Sequence, residues 1–414
     1  MTNVYSKMRL SIAVLAIYCG LPTTASEKHS FWTVQRKGAN CFNALPPSEH
    51  LFKAAHEQRI AFMRLACDKW PAEKRDFLLG SADHYEGLSC ADYAQLREVL
   101  DIAYTNGIPV ILTFLSLPGS RWSQNNDNID DLRIWQEERF QEQAIEFWKD
   151  LAVAVKDHPA VVAYNILNEP HPERITQSGE YDTINFDEWY KEIENSCADL
   201  NRFYQRVCQA IREVDSETSI IVDTGLYATP WAIEYLSPLS GIPHVLYSFH
   251  MYEPYGYTTG WLNQGRLSYP GEIPVSCDDN QPQEVVASTP SEYWDIAKIE
   301  SFFAPVHSWQ KRHAIPAHQI LVGEFGCNRL MKGAETYLQD VIAVCNEAGW
   351  HWAFYEFKAD DWDGMDYELG TIPTWRYYEV LEAGGDLEAL RTNTYVISRM
   401  LNINDRVHNE QSNE

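Results

Sequence analysis

The chain has 414 residues, 45% of them hydrophobic and 13% aromatic, enough apolar material to bury a large core. A net charge of −26 and an isoelectric point near 4.8 repel phosphate backbones, which excludes nucleic acid as a partner class and leaves neutral substrates unopposed. Most of the 14 Trp and 23 Tyr must serve core and rim, but the excess supplies flat apolar faces of the kind a sugar ring packs on.

Residues 1–25 read as a signal peptide: Lys7 and Arg9 precede an apolar run from Leu10 to Ile17, and Thr23-Thr24-Ala25 offers a small-residue cleavage site. The run is too short to span a bilayer. The expectation is cleavage after Ala25 and a secreted protein, extracellular or periplasmic, with no membrane span. From residue 26 to 400, short β-branched runs alternate with amphipathic stretches. Strands are predicted over 38–43, 60–66, 109–115, 161–167, 219–223, 245–250, 320–324 and 350–357, and helices over 93–105, 138–156, 189–214, 293–312 and 335–348. Eight βα units without a composition break predict one (β/α)8 barrel of the α/β class; the Gly-rich phosphate turn of an open doubly wound sheet is missing. Long connections at 170–187, 253–290 and 358–374 all follow predicted strands, on the side where barrels keep their active sites. Residues 401–414 form a polar tail.

Eight cysteines remain after cleavage (Cys41, Cys67, Cys90, Cys197, Cys208, Cys277, Cys327 and Cys345), an even count that permits disulfides in an exported protein. Cys197 and Cys208, on one predicted helix, would lie roughly 16 Å apart along its axis, too far to bond. Neither CxxC nor HExxH occurs, and the acidic run from Asp361 to Asp366 does not match an EF-hand, so no metal or cofactor is expected.

The chemistry is signalled by two glutamates, each closing an apolar strand. Val161–Leu167 runs into Asn168-Glu169-Pro170, and Ile320–Gly323 into Glu324-Phe325-Gly326. A carboxylate at the end of a buried strand is costly unless it is paired or used. Either one alone could cap a helix or pair with an arginine; two at matching ends, on the fourth and seventh barrel strands, suit glycosidic bond cleavage, in which one carboxyl group protonates the leaving oxygen and the other attacks the anomeric carbon.

Asn-Glu-Pro on strand four, Glu-Phe-Gly on strand seven and His250-Met251-Tyr252 ending strand six resemble glycoside hydrolase family 5, the cellulase superfamily barrel. The resemblance covers nearly the whole mature chain. It implies a retaining β-glycosidase without cofactors, with Glu169 as acid/base and Glu324 as nucleophile. It further implies that Arg64 bonds the nucleophile, that Asn168 binds the sugar 2-hydroxyl, and that His250 and Tyr252 border the nucleophile. Two places depart from the family pattern. Leu115 or Ser116 stands where a histidine usually ends strand three, and the strand-eight tryptophan platform is replaced by a run in which Trp352 or Tyr355 could stack on the sugar. The expected substrate is a β-linked glucan such as a cellulose-type β-1,4-glucan oligosaccharide. The alternatives are β-1,3-glucan exo-action, mannan, glycosylceramide, or a non-catalytic carbohydrate-binding protein on the same scaffold.

Overall fold

The structure, a computed structural model, describes residues 28–176, 185–275, 290–360, 364–393 and 396–402. The signal-like segment, Cys277, Asp361 to Asp363 and the tail beyond 402 lie outside the described residues. Ten strands occur among the described residues: β1 (Lys37–Cys41), β2 (Met63–Ala66), β3 (Val110–Thr113), β4 (Val161–Asn165), β5 (Ser219–Asp223), β6 (Val245–Met251), β7 (Gly271–Pro274), β8 (Ser291–Trp294), β9 (Ile320–Phe325) and β10 (His351–Phe354). Eight close into a parallel barrel in the order β1-β10-β9-β6-β5-β4-β3-β2, while β7 and β8 pair with each other, antiparallel. The (β/α)8 expectation holds, and each predicted strand is present. Several are shorter than their apolar runs because the last residues leave the ladder to build the rim. Asn168, three residues past β4, donates its backbone N–H to the Phe114 carbonyl at 2.8 Å.

Every barrel strand is buried along its length apart from Lys37, as expected of a parallel sheet covered on both faces. Helix Glu138–Val155 shows how the outer layer seats: Phe140, Ala144, Phe147, Trp148, Leu151 and Val155 recur every three or four residues and are buried. The single helix predicted over 189–214 is in fact two, Phe186–Glu192 and Leu200–Arg212. Asp199 caps the second by accepting from the backbone N–H of Asn201 and Arg202 at 3.0 and 3.3 Å. Cys197 therefore sits in the break, and the same-helix argument against its pairing with Cys208 does not apply. No disulfide joins the seven cysteines among the described residues. Likewise Tyr293 belongs to β8 rather than to a helix, and Asp295 caps Ile296–His313 instead.

The end of the barrel at the strands' amino termini is sealed by the segment that precedes β1. A short 3-10 helix, His29–Thr33, inserts Phe31 and Trp32 among Phe62, Ile111, Val162, Ile221, Leu246 and Leu321. The Trp32 indole donates to the Val162 carbonyl at 3.3 Å, and the Lys28 ammonium to the Lys156 carbonyl at 2.5 Å. No described helix is long and apolar enough to cross a membrane.

Candidate active site

The opposite end gathers the polar residues that close β1, β2, β4, β5, β6 and β9. Arg64, on β2 and fully buried, is their hub. Its Nη1 donates to Asn40 at 3.0 Å and to Glu324 Oε1 at 2.6 Å. Its Nη2 donates to Asn165 at 2.6 Å and to Asn168 at 2.7 Å, and its Nε to Asn165 at 3.0 Å. Asp223, at the end of β5, stands 3.5 Å from Nη2. A buried guanidinium is tolerable only with its donors satisfied, and here the planar fork is filled on every side.

Glu324 receives that charge and a second hydrogen bond, from the Tyr252 hydroxyl at 2.8 Å. Burial raises its carboxyl, and the Arg64 guanidinium and Tyr252 hydroxyl pull it back toward ionisation. Glu169 has no cation in hydrogen-bond contact. Burial drives its carboxyl well above the ordinary range, and the charges of Glu324 and Asp223 push it further. Burial thus raises both carboxyls, but only Glu324 has a guanidinium and a hydroxyl opposing the rise, so of the two it is Glu324 that gives up its proton first and Glu169 that keeps it.

His250 lies between them, its Nδ1 2.8 Å from Glu169 Oε1 and 3.8 Å from Glu324 Oε1. Burial, then Arg64, holds the imidazole well below its usual pKa, so it is neutral. Its position follows from a register irregularity between Phe249 and His250 that sets His250 opposite Glu324. Gly323 permits the approach: a Cβ there would fall 2.7 Å from Ser248 Oγ and 2.9 Å from His250 Nε2. One oxygen of each carboxylate and a nitrogen of His250 all lie within 4.8 Å of one another. Such a trio has the composition of a metal site, but Arg64 already supplies the positive charge that a cation would bring.

These groups open on a cavity of about 600 Å³, whose lining includes Asn168, Glu169, His250, Tyr252 and Glu324. Of the residues that resemblance singled out, Tyr355 lines it, edge-on to Phe42. Trp352 does not. It is fully buried behind β10, with its indole donating to Asn346 at 3.0 Å and its ring against Phe325. Strand side chains alternate, so Trp352 and Phe354 face the helices when Tyr355 faces the cavity. At the end of strand three, Leu115 fills the wall, while Ser116 turns away and accepts from the backbone of Trp122 at 3.1 Å. Asn40, Asn165 and Asp223 were not singled out from sequence, yet they hold Arg64 in place.

The Cellulase (glycosyl hydrolase family 5) model matches residues 25–361. The chain belongs to glycoside hydrolase family 5. This family 5 hydrolase is 25% identical over 214 residues to a β-xylosidase of Phanerodontia chrysosporium, a match spanning half of this chain and 39% of that protein. Among solved structures, the endoglucanase Cel5A of Thermotoga maritima gives a TM-score of 0.58 at 19% identity, covering 87% of this chain and 99% of that one. A hyperthermophilic endo-β-1,4-glucanase in complex with substrate gives 0.54 at 20% identity, covering 83% and 93%. At these identities the likeness to the solved structures is one of fold.

Proposed function

We propose that this family 5 hydrolase is an exported, retaining β-glycosidase of β-linked glucans, cellulose-type β-1,4-glucan oligosaccharides foremost. The observation that carries the mechanism is the approach of one oxygen of Glu169 and one of Glu324 to within 4.8 Å, both on the Nδ1 of His250 at 2.8 and 3.8 Å. Retention uses a pair about 5–5.5 Å apart, whereas inversion needs 6.5–9.5 Å to admit a water between them. Glu324, ionised and aimed by Arg64 and Tyr252, attacks the anomeric carbon as Glu169 passes its proton to the leaving oxygen. Once Glu324 is esterified its charge is gone. The Glu169 carboxyl then loses one of the repulsions that raised it and takes a proton from the water that releases the sugar.

The gluco assignment rests on Asn168. Its Oδ1 is engaged by Arg64, so its amide N–H groups are the ones presented to an equatorial 2-hydroxyl. Solved complexes of the Thermotoga maritima enzyme with cellobiose and with mannotriose make mannan the natural comparator. The test is proton NMR of the first product together with rates on cello-, manno- and xylo-oligosaccharides. A β-anomer and rates rising with cello-oligosaccharide length are expected. An α-anomer refutes the assigned roles, and cleavage of mannan with every β-glucan untouched refutes the gluco assignment. Export is supported by the charge and hydropathy of residues 1–25, and amino-terminal sequencing of the native protein should find a start near Ser26.

A further inference from the structure

A second buried carboxylate follows the acid by four residues and takes no part in the mechanism above. Glu173 lies in the short 3-10 helix Pro172–Thr176 and is 1% exposed. Its Oε1 accepts the Tyr190 hydroxyl, and its Oε2 accepts the backbone N–H of Leu226 at 3.2 Å. The contact is too close for any side chain at position 225: a Cβ on Gly225 would lie 2.5 Å from Glu173 Oε1 and 2.9 Å from the Tyr190 hydroxyl.

What Glu173 grips is an unusual piece of backbone. Leu226, Tyr227 and Ala228 take φ of 51°, 57° and 61°, three consecutive non-glycine residues in the left-handed region. L-residues visit that region singly and at a cost, so a run of three persists only where its surroundings over-determine it. The surroundings here lead back to the acid. The Tyr227 N–H donates to the Pro170 carbonyl at 3.3 Å, and its ring stacks on His171 at 4.3 Å and 16°. His171 Nδ1 in turn bonds the Glu169 carbonyl oxygen at 2.8 Å. Leu226, Tyr227 and Trp231 line the cavity on this side, with Trp122 edge-on to His171. The side chains that the turn itself offers the cavity, Leu226 and Tyr227, carry no charge and suit the flat apolar face of a ring.

We propose that Glu173 is a positioning residue for the leaving-group side of the cavity, holding the left-handed turn Leu226–Ala228 so that Leu226 and Tyr227 form the wall that receives the departing ring, whether pyranose or aromatic. The proposal rests on Glu169 being the acid that meets the leaving group, since that is what makes the neighbouring wall the leaving-group wall.

The test compares donors that share a glycone and differ in what departs: β-cellobiosyl fluoride, cellotetraose and para-nitrophenyl β-cellobioside. Fluoride is too small to use the wall. Glu173→Ala should lower kcat/KM about tenfold on one or both ring-bearing donors and leave the fluoride within about twofold, as the loss of one buried hydrogen bond predicts. Glu173→Gln, whose amide oxygen can still accept from Leu226, should recover most of the loss. A loss confined to cellotetraose assigns the wall to a pyranose, and one confined to the nitrophenyl donor assigns it to an aromatic ring. An equal loss on all three donors, or on none, overturns the proposal. If wild type cleaves none of them, the gluco reading fails, and hydrogen exchange then decides on the latch. Glu173→Ala should speed exchange of the Leu226 amide at least tenfold while β5 is unchanged, and unaltered exchange at Leu226 overturns the proposal.

Discussion

Removing the Tyr252 hydroxyl should move the acid limb of the pH–rate profile upward. Tyr252→Phe keeps the ring and deletes only the donor that stands 2.8 Å from Glu324 Oε2. That hydroxyl stabilises the ionised form, so its loss destabilises the charge and raises the pH at which Glu324 becomes a working nucleophile. A hydrogen bond to a carboxylate contributes about 1.5–3 kcal/mol, and about 1.4 kcal/mol corresponds to one pH unit, so the limb should rise by about one to two units. Arg64 still donates to Oε1 at 2.6 Å, which keeps the shift from being larger. The alkaline limb, set by loss of the Glu169 proton, should move less. The assay is kcat/KM on a soluble oligosaccharide across the acid and neutral range, because that ratio reports the free enzyme. A plateau that falls while the acid limb stays in place would refute the reasoning, since the hydroxyl would then not be holding Glu324 ionised.

Glu324→Gln should abolish turnover while calorimetry shows an intact fold and sugar binding persists. Glu169→Ala should slow substrates with poor leaving groups far more than those with good ones, which a leaving-group series measures directly. Arg121, whose side chain is 3% exposed, is clamped by Asp76 at 2.9 Å and Asp83 at 2.8 Å. Arg121→Met should cost about 3 kcal/mol, read from the denaturation midpoint, because it strands the half-buried Asp76, whose side chain is 10% exposed. Burial pushes the Asp68 carboxyl from 3.8 up to about 7. The folded state therefore holds the proton more tightly, and stability is lost as pH rises from about 3.8 through about 7. Asp68→Asn removes that dependence, so the melting temperature of the variant should gain on wild type across this window, and a constant difference would contradict the assignment.

The barrel and its two glutamates were legible because each leaves a local trace: an apolar strand that ends abruptly in a carboxylate. Asn40, Asn165 and Asp223 leave none. Each is one polar residue at a strand end, and only barrel closure shows that all three converge on Arg64. The choice between Trp352 and Tyr355 was open for a related reason. Both faces of β10 are buried, so hydropathy carries no alternation from which to tell inside from outside. The break in the helix predicted over 189–214 did have a signal, since Ser196 and Asp199 are cap-forming residues, but the apolar period continued across it and concealed the stop. The left-handed turn at Leu226–Ala228 has no sequence signature, because none of its residues is Gly, Asn or Asp.

The plug that seals the barrel gives the molecule a built-in polarity for attachment. Phe31 and Trp32 are wedged into the end away from the cavity, so anything joined ahead of Lys28 departs from the face opposite the catalytic mouth. An affinity tag, a surface anchor or a second module fused there would tether the enzyme by its back. The mouth would stay turned outward.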